Sequence, residues 1–291
     1  MSLVVNTNIA SMNAQRSLMA SGKELQSAME RLSTGKKINS AADDAAGFAI
    51  AESMTAQVRG LSMGAKNASD ALGLLKVVEN ATNDVTDMLQ RVRELAVQAQ
   101  SGTNSAGDIA NLQLEAEALM TEITRVSSDT TYNNKAYLGA DNGTISIQVG
   151  YNDGDTIDIT TYNIDAESLG VAVAAADNGD DSDVATADLF DDNTNFINIE
   201  KSGALAVISN AIDQVAGYKA EWGAGQNRLE YTVSNLMNVV EFTTAARSRI
   251  QDADFAVEAA RLAKAQVLQQ TGTAMLAQAN AAPQIALQLL K

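Results

Sequence analysis

Apolar residues recur along most of this chain with the three- and four-residue steps of an α-helix, and one stretch breaks into strict alternation. Residues 1–34 and 242–291 both read as amphipathic helices with a narrow apolar stripe. At the front, Leu18, Leu25 and Leu32 repeat every seven residues, with Ala28 and Met29 filling the alternate step. At the back, Ile250, Ala253, Val257, Ala260, Val267 and Ala274 follow the spacing of a coiled-coil seam. A stripe that narrow needs a partner helix. The simplest partner is the other end of the same chain, followed by copies of the same protein.

Inside the two ends the pattern predicts a helical bundle. Gly35 is a C′ glycine that stops the first helix. Ser40-Ala-Ala-Asp43 has the form of an N-cap with a carboxylate three residues on. A long helix over about 45–100 carries Leu72, Leu75, Val78, Val85, Leu89, Val92 and Ala96 on its stripe, and Ser101-Gly-Thr-Asn-Ser105 ends it. A second helix shows Leu112, Ala116, Leu119, Ile123 and Val126. A third, over roughly 203–240, shows Ile208, Ile212, Val215, Lys219, Trp222, Leu229, Val233, Leu236 and Val240. Three matching stripes make a bundle. Between the second and third helices the period drops to two, in Thr144–Val149 and Thr156–Thr160, with Asn152-Asp-Gly154 as the turn of a β-hairpin. Residues 162–200 lose all periodicity and read as a small excursion on the outside of the molecule.

Composition removes most chemistry. Cysteine and histidine are both absent, so there is no thiolate, no disulfide, no imidazole base and no imidazole metal ligand. Aromatics make up only 4%. No run of apolar residues is long enough to span a membrane, and the first residues lack the charged and apolar regions of a cleaved secretory signal. The net charge of −16 argues against nucleic acid. It is unevenly spread: residues 1–44 and 244–291 together carry +3, and the middle carries −19. Fourteen acidic residues and no basic one lie between Lys135 and Lys201. That is a solvated acidic surface, or a calcium site around Asp153-Gly-Asp155 or Asp177–Asp183, although neither stretch has EF-hand spacing. Acidic pairs such as Asp43-Asp44 could be imagined as acid and base, but a carboxylate pair at a helix start is far more often a cap.

Several long segments resemble bacterial flagellins. They are Met1–Leu18, Arg31–Ile50, the motif Leu89-Gln-Arg-Val-Arg-Glu-Leu-Ala-Val-Gln98, the hairpin residues Gln148–Gly150 and Asn152–Gly154, and Gln269–Asn280 through Leu290. The resemblance covers roughly 1–160 and 201–291. It implies a mainly α fold: a coiled coil made by both chain ends, a helical bundle, a small β-hairpin and a short outer insertion. The domains it implies are a terminal coiled coil over 1–44 and 244–291, a bundle with hairpin over 45–164 and 201–243, and an acidic surface insertion over 165–200.

By the same resemblance the chain is a non-enzymatic subunit that polymerises with itself into the flagellar filament and binds no cofactor or metal. Export through the flagellar type III route to the extracellular flagellum is implied, with an export chaperone, the filament cap and hook-associated proteins as partners. Leu18, Leu25, Leu32, Ile250, Val257 and Val267 are the expected polymerisation and coiled-coil positions. In the family, vertebrate flagellin-sensing Toll-like receptors, the host's innate immune receptors, grip the bundle around the motif. Arg91, Leu95 and Glu115 match the positions they use. Arg91 and Leu95, four apart, are expected on one helix face. The alternative is a hook–filament junction protein, which shares the terminal architecture; a match from residue 1 almost unbroken through Gln98 favours the filament subunit. An adhesin or injectisome tip protein is more remote.

Overall fold

The computed structural model describes residues 7–172 and 196–288, with side chains described through residue 281. In chain order the elements are α1 (Ile9–Thr34), α2 (Ala45–Ala99), α3 (Ala106–Asp129), β1 (Gly143–Gln148), β2 (Thr156–Thr161), α4 (Ala204–Gln251) and α5 (Phe255–Gln288). The chain divides into two compact units: a terminal unit of residues 1–59 and 239–291, and a bundle unit of residues 60–238. α2 and α4 each contribute to both.

The bundle unit is built on a core of large side chains. Leu75, Val85, Leu89, Val92 and Leu95 of α2 are sealed from solvent, as are Met120 and Ile123 of α3 and Ile208, Val215 and Leu229 of α4. The buried line of α3 is Ala116, Met120, Ile123 and Ser127, with Leu112, Leu119 and Val126 only half-buried on its flank. α3 begins in a reciprocal capping box. Ser105 Oγ accepts from the Asp108 amide, and the Asp108 carboxylate accepts from the Ser105 amide and hydroxyl. Lys219, on the expected apolar stripe of α4, stays half-exposed and donates from Nζ to Asn83 Oδ1 at 2.5 Å.

β1 and β2 pair antiparallel, Gly143 opposite Thr161 through Gln148 opposite Thr156. Alternation puts Ile147, Ile157 and Ile159 into the core. Trp222 anchors the hairpin to α4, donating from Nε1 to Thr160 O at 2.8 Å. Tyr162 and Tyr218 stack beside it with ring centroids 4.0 Å apart. The loop after β1 lies against α2 without intervening side chains. A Cβ on Gly60 would sit 2.5 Å from Tyr151 Cβ, and one on Gly64 only 2.2 Å from the Val149 carbonyl oxygen. Asn67 completes this contact by donating to Gln148 O at 2.9 Å. Asp155, in the hairpin loop, accepts from the Asn152 amide at 3.3 Å, so its carboxylate shapes the turn.

The edges of the supposed excursion are core. Ile164, Ala166, Leu169 and Val171 on one side, and Ile197 and Ile199 on the other, are buried against the bundle. Residues 162–172 and 196–200 therefore do not lie outside the fold as expected. Their apolar residues are carried by turns, which show no period. Asp165 caps one such turn by accepting from the Ser168 amide at 2.6 Å. Gln113 of α3 holds the other by accepting from Ile199 N at 3.0 Å and donating to Ile197 O at 3.1 Å. Ala172 and Phe196 form an isolated antiparallel bridge. The run Asp177–Asp183 and Phe190 lie outside the described residues.

In the terminal unit, α1 ends at Gly35 in the left-handed region (φ +70°), whose N–H reaches Arg31 O at 2.9 Å. The Ser40–Asp43 segment is a separate turn ahead of α2 and not its cap. Asp43 accepts from the amides of Asn39 and Ser40 and from the Ser40 hydroxyl. The cap is one residue later, where Asp44 Oδ1 accepts from Gly47 N at 3.0 Å. The linker after α1 also pairs with the break between α4 and α5: Lys37 N donates to Gln251 O at 2.7 Å and Ala253 N to Gly35 O at 2.9 Å.

Candidate assembly surface

α1 and α5 pack on each other as an antiparallel pair, with Asn8 near Ala279 and Arg31 near Glu258. On α1 the inward line is Ser11, Ala14, Leu18, Ser21, Leu25, Ala28 and Leu32. These steps of three and four are an unbroken heptad seam. Leu18, Leu25 and Leu32 lie on it, each half-buried, with Ala28 buried; Met29 faces out. On α5 the inward line is Glu258, Leu262, Ala265, Gly272, Leu276 and Ala279. Gly272 gives Leu18 its place, since a Cβ there would lie 3.2 Å from Leu18 Cδ1.

Two polar groups fix the register of this pair. At one end Asn8 caps α1 by accepting from Ser11 N at 3.0 Å and donates across to Ala279 O at 2.7 Å, while Ser11 Oγ donates to Asn280 Oδ1 at 2.8 Å. At the other end the Glu258 carboxylate is buried and accepts from Arg31 at 3.3 Å and Arg261 at 2.9 Å. A buried acid flanked by two guanidiniums is tolerated in one alignment of the two helices only.

The C-terminal positions expected on the seam fall elsewhere. Ile250 is half-buried on the last turn of α4, before the chain breaks at Asp252–Asp254. Asp254 then caps α5, accepting from Ala256 N at 2.8 Å. The line from Ile250 through Val257 thus crosses a helix boundary, and its heptad phase is lost there. Val257 and Val267 face away from α1, together with Ala260, Ala274 and Met275, the last 64% exposed. Ala256, Val257, Ala260, Arg261 and Lys264 line a shallow groove of about 440 Å³ on this side. α1 has an outward apolar line of its own in Ile9, Met12 and Met19, and the end of α4 exposes Met237 and Phe242, the last at 73%. The seam residues of α5 were missed because Glu258 and Gly272 interrupt it with a charge and a gap. The signal that could have found them is the heptad spacing counted from Glu258, which Leu262, Ala265, Gly272, Leu276 and Ala279 keep although Gln269 on the same line is exposed.

On the bundle unit, Arg91 and Glu115 meet across α2 and α3. Arg91 Nη2 donates to Glu115 Oε1 at 2.9 Å and Nη1 to Glu94 Oε2 at 3.0 Å, with all three residues exposed. Hydrogen bonding to Glu115, then to Glu94, holds the Arg91 guanidinium protonated above its ordinary value. Leu95 does not share this surface: it is fully buried. Four residues advance a helix by more than one full turn, and the added rotation carries Leu95 over the edge of the exposed face into the core. Gln90, Arg93, Glu94 and Val97 border an open groove of about 540 Å³ beside the ion pair.

Against known families, residues 5–142 match the bacterial flagellin N-terminal helical region and residues 205–290 the bacterial flagellin C-terminal helical region. The chain is 39% identical to a flagellin of Halalkalibacterium halodurans over 99% of this chain and 100% of that one. It is 40% identical to a flagellin of Bacillus subtilis over 99% of each. Among solved structures, a putative flagellar hook-associated protein from Vibrio parahaemolyticus aligns with a TM-score of 0.54 over 72% of this chain and 100% of that one. At 13% identity that likeness shows the fold alone.

Proposed function

Because the chain belongs to the bacterial flagellin family, we propose that the outward apolar lines of α1 and α5 are the surfaces on which copies of it pack into the flagellar filament. A flagellin is a structural component of that extracellular filament and not an enzyme. One observation carries the assignment of the surface. Ile9, Met12, Met19, Val257, Val267 and Met275 stay in water on helices whose inner faces are already used. Exposed apolar lines of this kind mark a surface awaiting a partner. The near-neutral charge of the terminal segments suits crowding among many copies.

Polymerisation of the purified chain, imaged and sedimented, tests this. Met19→Asp and Val257→Asp leave the α1–α5 seam untouched and are expected to abolish long tubes while the monomer keeps its helical signal. Parent-like filaments from both variants would overturn the surface. A parent chain that caps existing tubes without extending them would favour the hook–filament junction role instead. Passage through the flagellar export route with a chaperone, and contacts with the filament cap and hook-associated proteins, follow from the same reading.

A second reading rests on the exposed Arg91–Glu115 pair. We propose that a host flagellin-sensing Toll-like receptor recognises this face, with Arg91 and Glu115 as contacts and Leu95 acting from beneath by holding α2 in place. Arg91→Ala is expected to weaken reporter-cell signalling by about tenfold or more without unfolding the bundle. Leu95→Ala would act through stability, so its effect tracks the loss of folded protein. An Arg91→Ala chain that signals like the parent would remove this face from the receptor site.

A further inference from the structure

Away from the apolar lines, the terminal unit holds a polar cavity of about 310 Å³. Lys36 reaches it from the linker after α1, Arg59 from α2 and Arg247 from α4, so three cations line one space. Three hydroxyl groups, on Thr55, Thr244 and Ser248, line it as well. None of the three cations forms an ion pair among the described residues. Arg247 spends one donor, Nη1, on Thr55 Oγ1 at 3.1 Å. The side chains of Lys36 and Arg59 make no hydrogen bond among the described residues.

Arg31, Arg91, Arg125 and Arg261 all meet carboxylates. The chain has acidic residues in excess, yet none of these three cations comes within ion-pair distance of one among the described residues. Two carboxylates are on the same wall and are placed otherwise: Asp252 accepts from Ser248 Oγ at 2.5 Å, and Glu52 is exposed. Three cations against two carboxylates leave the lining net positive, which favours an anion in this partly enclosed space. Guanidinium forks, an ammonium and hydroxyls are the donor set that suits a tetrahedral oxyanion.

We propose that this cavity is a binding site for an inorganic oxyanion, phosphate or sulfate. The anion would join Lys36 on the linker to Arg59 of α2 and Arg247 of α4, beside the backbone pairing of Lys37 and Ala253 with Gln251 and Gly35. It would thereby stiffen the place where the terminal helices leave α2 and α4. The site rests on residues of the terminal unit alone and does not depend on filament formation.

Calorimetric titration of the monomeric full chain with sodium phosphate, at ionic strength held constant with sodium chloride, tests it. Saturable binding is expected, with sulfate competing for the same site. Arg59→Gln should weaken it by at least about tenfold, the loss of one charge-assisted contact. Because the Arg59 side chain is exposed and unbonded, that variant keeps its fold. Lys135→Gln removes an exposed cation of the bundle unit and should bind phosphate like the parent. A parent chain without saturable binding above the chloride baseline overturns the site. So does an Arg59→Gln chain that binds as the parent does, or a Lys135→Gln chain that loses as much.

Discussion

The terminal unit and the bundle unit are both helical, yet they spend their apolar residues in opposite ways. In the bundle unit Leu75, Leu89, Leu95, Ile123, Ile208 and Trp222 are sealed from solvent, and strands, turns and loop edges converge on one core. In the terminal unit the α1–α5 seam uses Ser, Ala, Gly and half-buried Leu, and Ala28 and Ala265 are its fully buried apolar side chains among the described residues. Its larger groups, Ile9, Met12, Met19, Phe255 and Met275, face out. At about 25 cal/mol per Å² of buried apolar surface, a seam of alanine and glycine offsets little of the roughly 1–2 kcal/mol of backbone entropy lost per residue. One unit carries a sealed core of its own. The other has alignment, set by Glu258 and Asn8, without much adhesion, and under the assembly proposed above its outward residues would complete the burial.

The sharpest way to break this comparison is at the edges of the acidic segment. Replacing 173–195, between the bridged Ala172 and Phe196, with a short Gly/Ser linker should leave the bundle unit folded and the chain able to polymerise. Replacing 165–199 removes Ala166, Leu169, Val171, Ile197 and Ile199 from the core and should unfold that unit. Trp222, the single tryptophan, reports the difference by its fluorescence. Native emission from the longer replacement would show that the bundle does not need these edges.

Single core substitutions come next. Leu89→Ala leaves a cavity in a sealed core and should cost about 2–5 kcal/mol, read by urea unfolding at Trp222. Leu25→Ala removes a half-buried group from the seam and should cost about 1 kcal/mol, visible in amide exchange of α1 and α5 and silent at Trp222. Equal costs would erase the distinction between the two units.

How well each region could be read from the sequence follows the same division. The long stripe of α2 was legible because large residues such as Leu75, Leu89 and Val92 repeat on one face. The hairpin was legible because Ile145, Ile147, Ile157 and Ile159 alternate. The α1 side of the seam showed through Leu18, Leu25 and Leu32. The α5 side did not, because small apolar residues lie on both of its faces and the outward Val257 and Val267 are larger than the inward Ala265 and Gly272. Leu95 looked like a surface neighbour of Arg91 because spacing gives proximity along a helix and not depth. Ile164, Val171, Ile197 and Ile199 were hidden because residues held by turns and by the Gln113 amide carry no period.

Two glycines give the comparison a change of sign. Alanine is preferred to glycine within a helix by about 1 kcal/mol, and both Gly64 and Gly272 are helical. At Gly64 the added methyl would collide with the Val149 carbonyl, part of a backbone held against α2. Gly64→Ala should therefore destabilise the bundle unit by about 1–3 kcal/mol. At Gly272 the methyl meets the end of Leu18, a flexible side chain in a loose seam. Gly272→Ala should be neutral or stabilising by up to about 1 kcal/mol. Thermal unfolding of the two variants checks both signs, and a stabilised Gly64→Ala chain would show that the hairpin loop yields as easily as the seam.

The smallest expected effect is a pH dependence shared by the two units. Asp43, in the turn before α2, is held below the ordinary carboxylate value by hydrogen bonds from the Ser40 and Asn39 amides. Asp108, in the α3 capping box, is lowered by the Ser105 hydroxyl and then by its amide. Both pKa values are depressed on folding, so each carboxylate contributes stability that is fully present above the unfolded value near about 3.9. That contribution is lost as pH falls through the lower folded value. Both groups are exposed, so the effect is small and weakens further with salt. Carboxyl-carbon NMR titration should place both midpoints below those of the unfolded chain. Asp43→Asn should flatten the acid limb of terminal-unit stability, and Asp108→Asn that of the bundle unit. If each substitution left its own unit's acid limb unchanged, these turns would owe their geometry to the backbone alone.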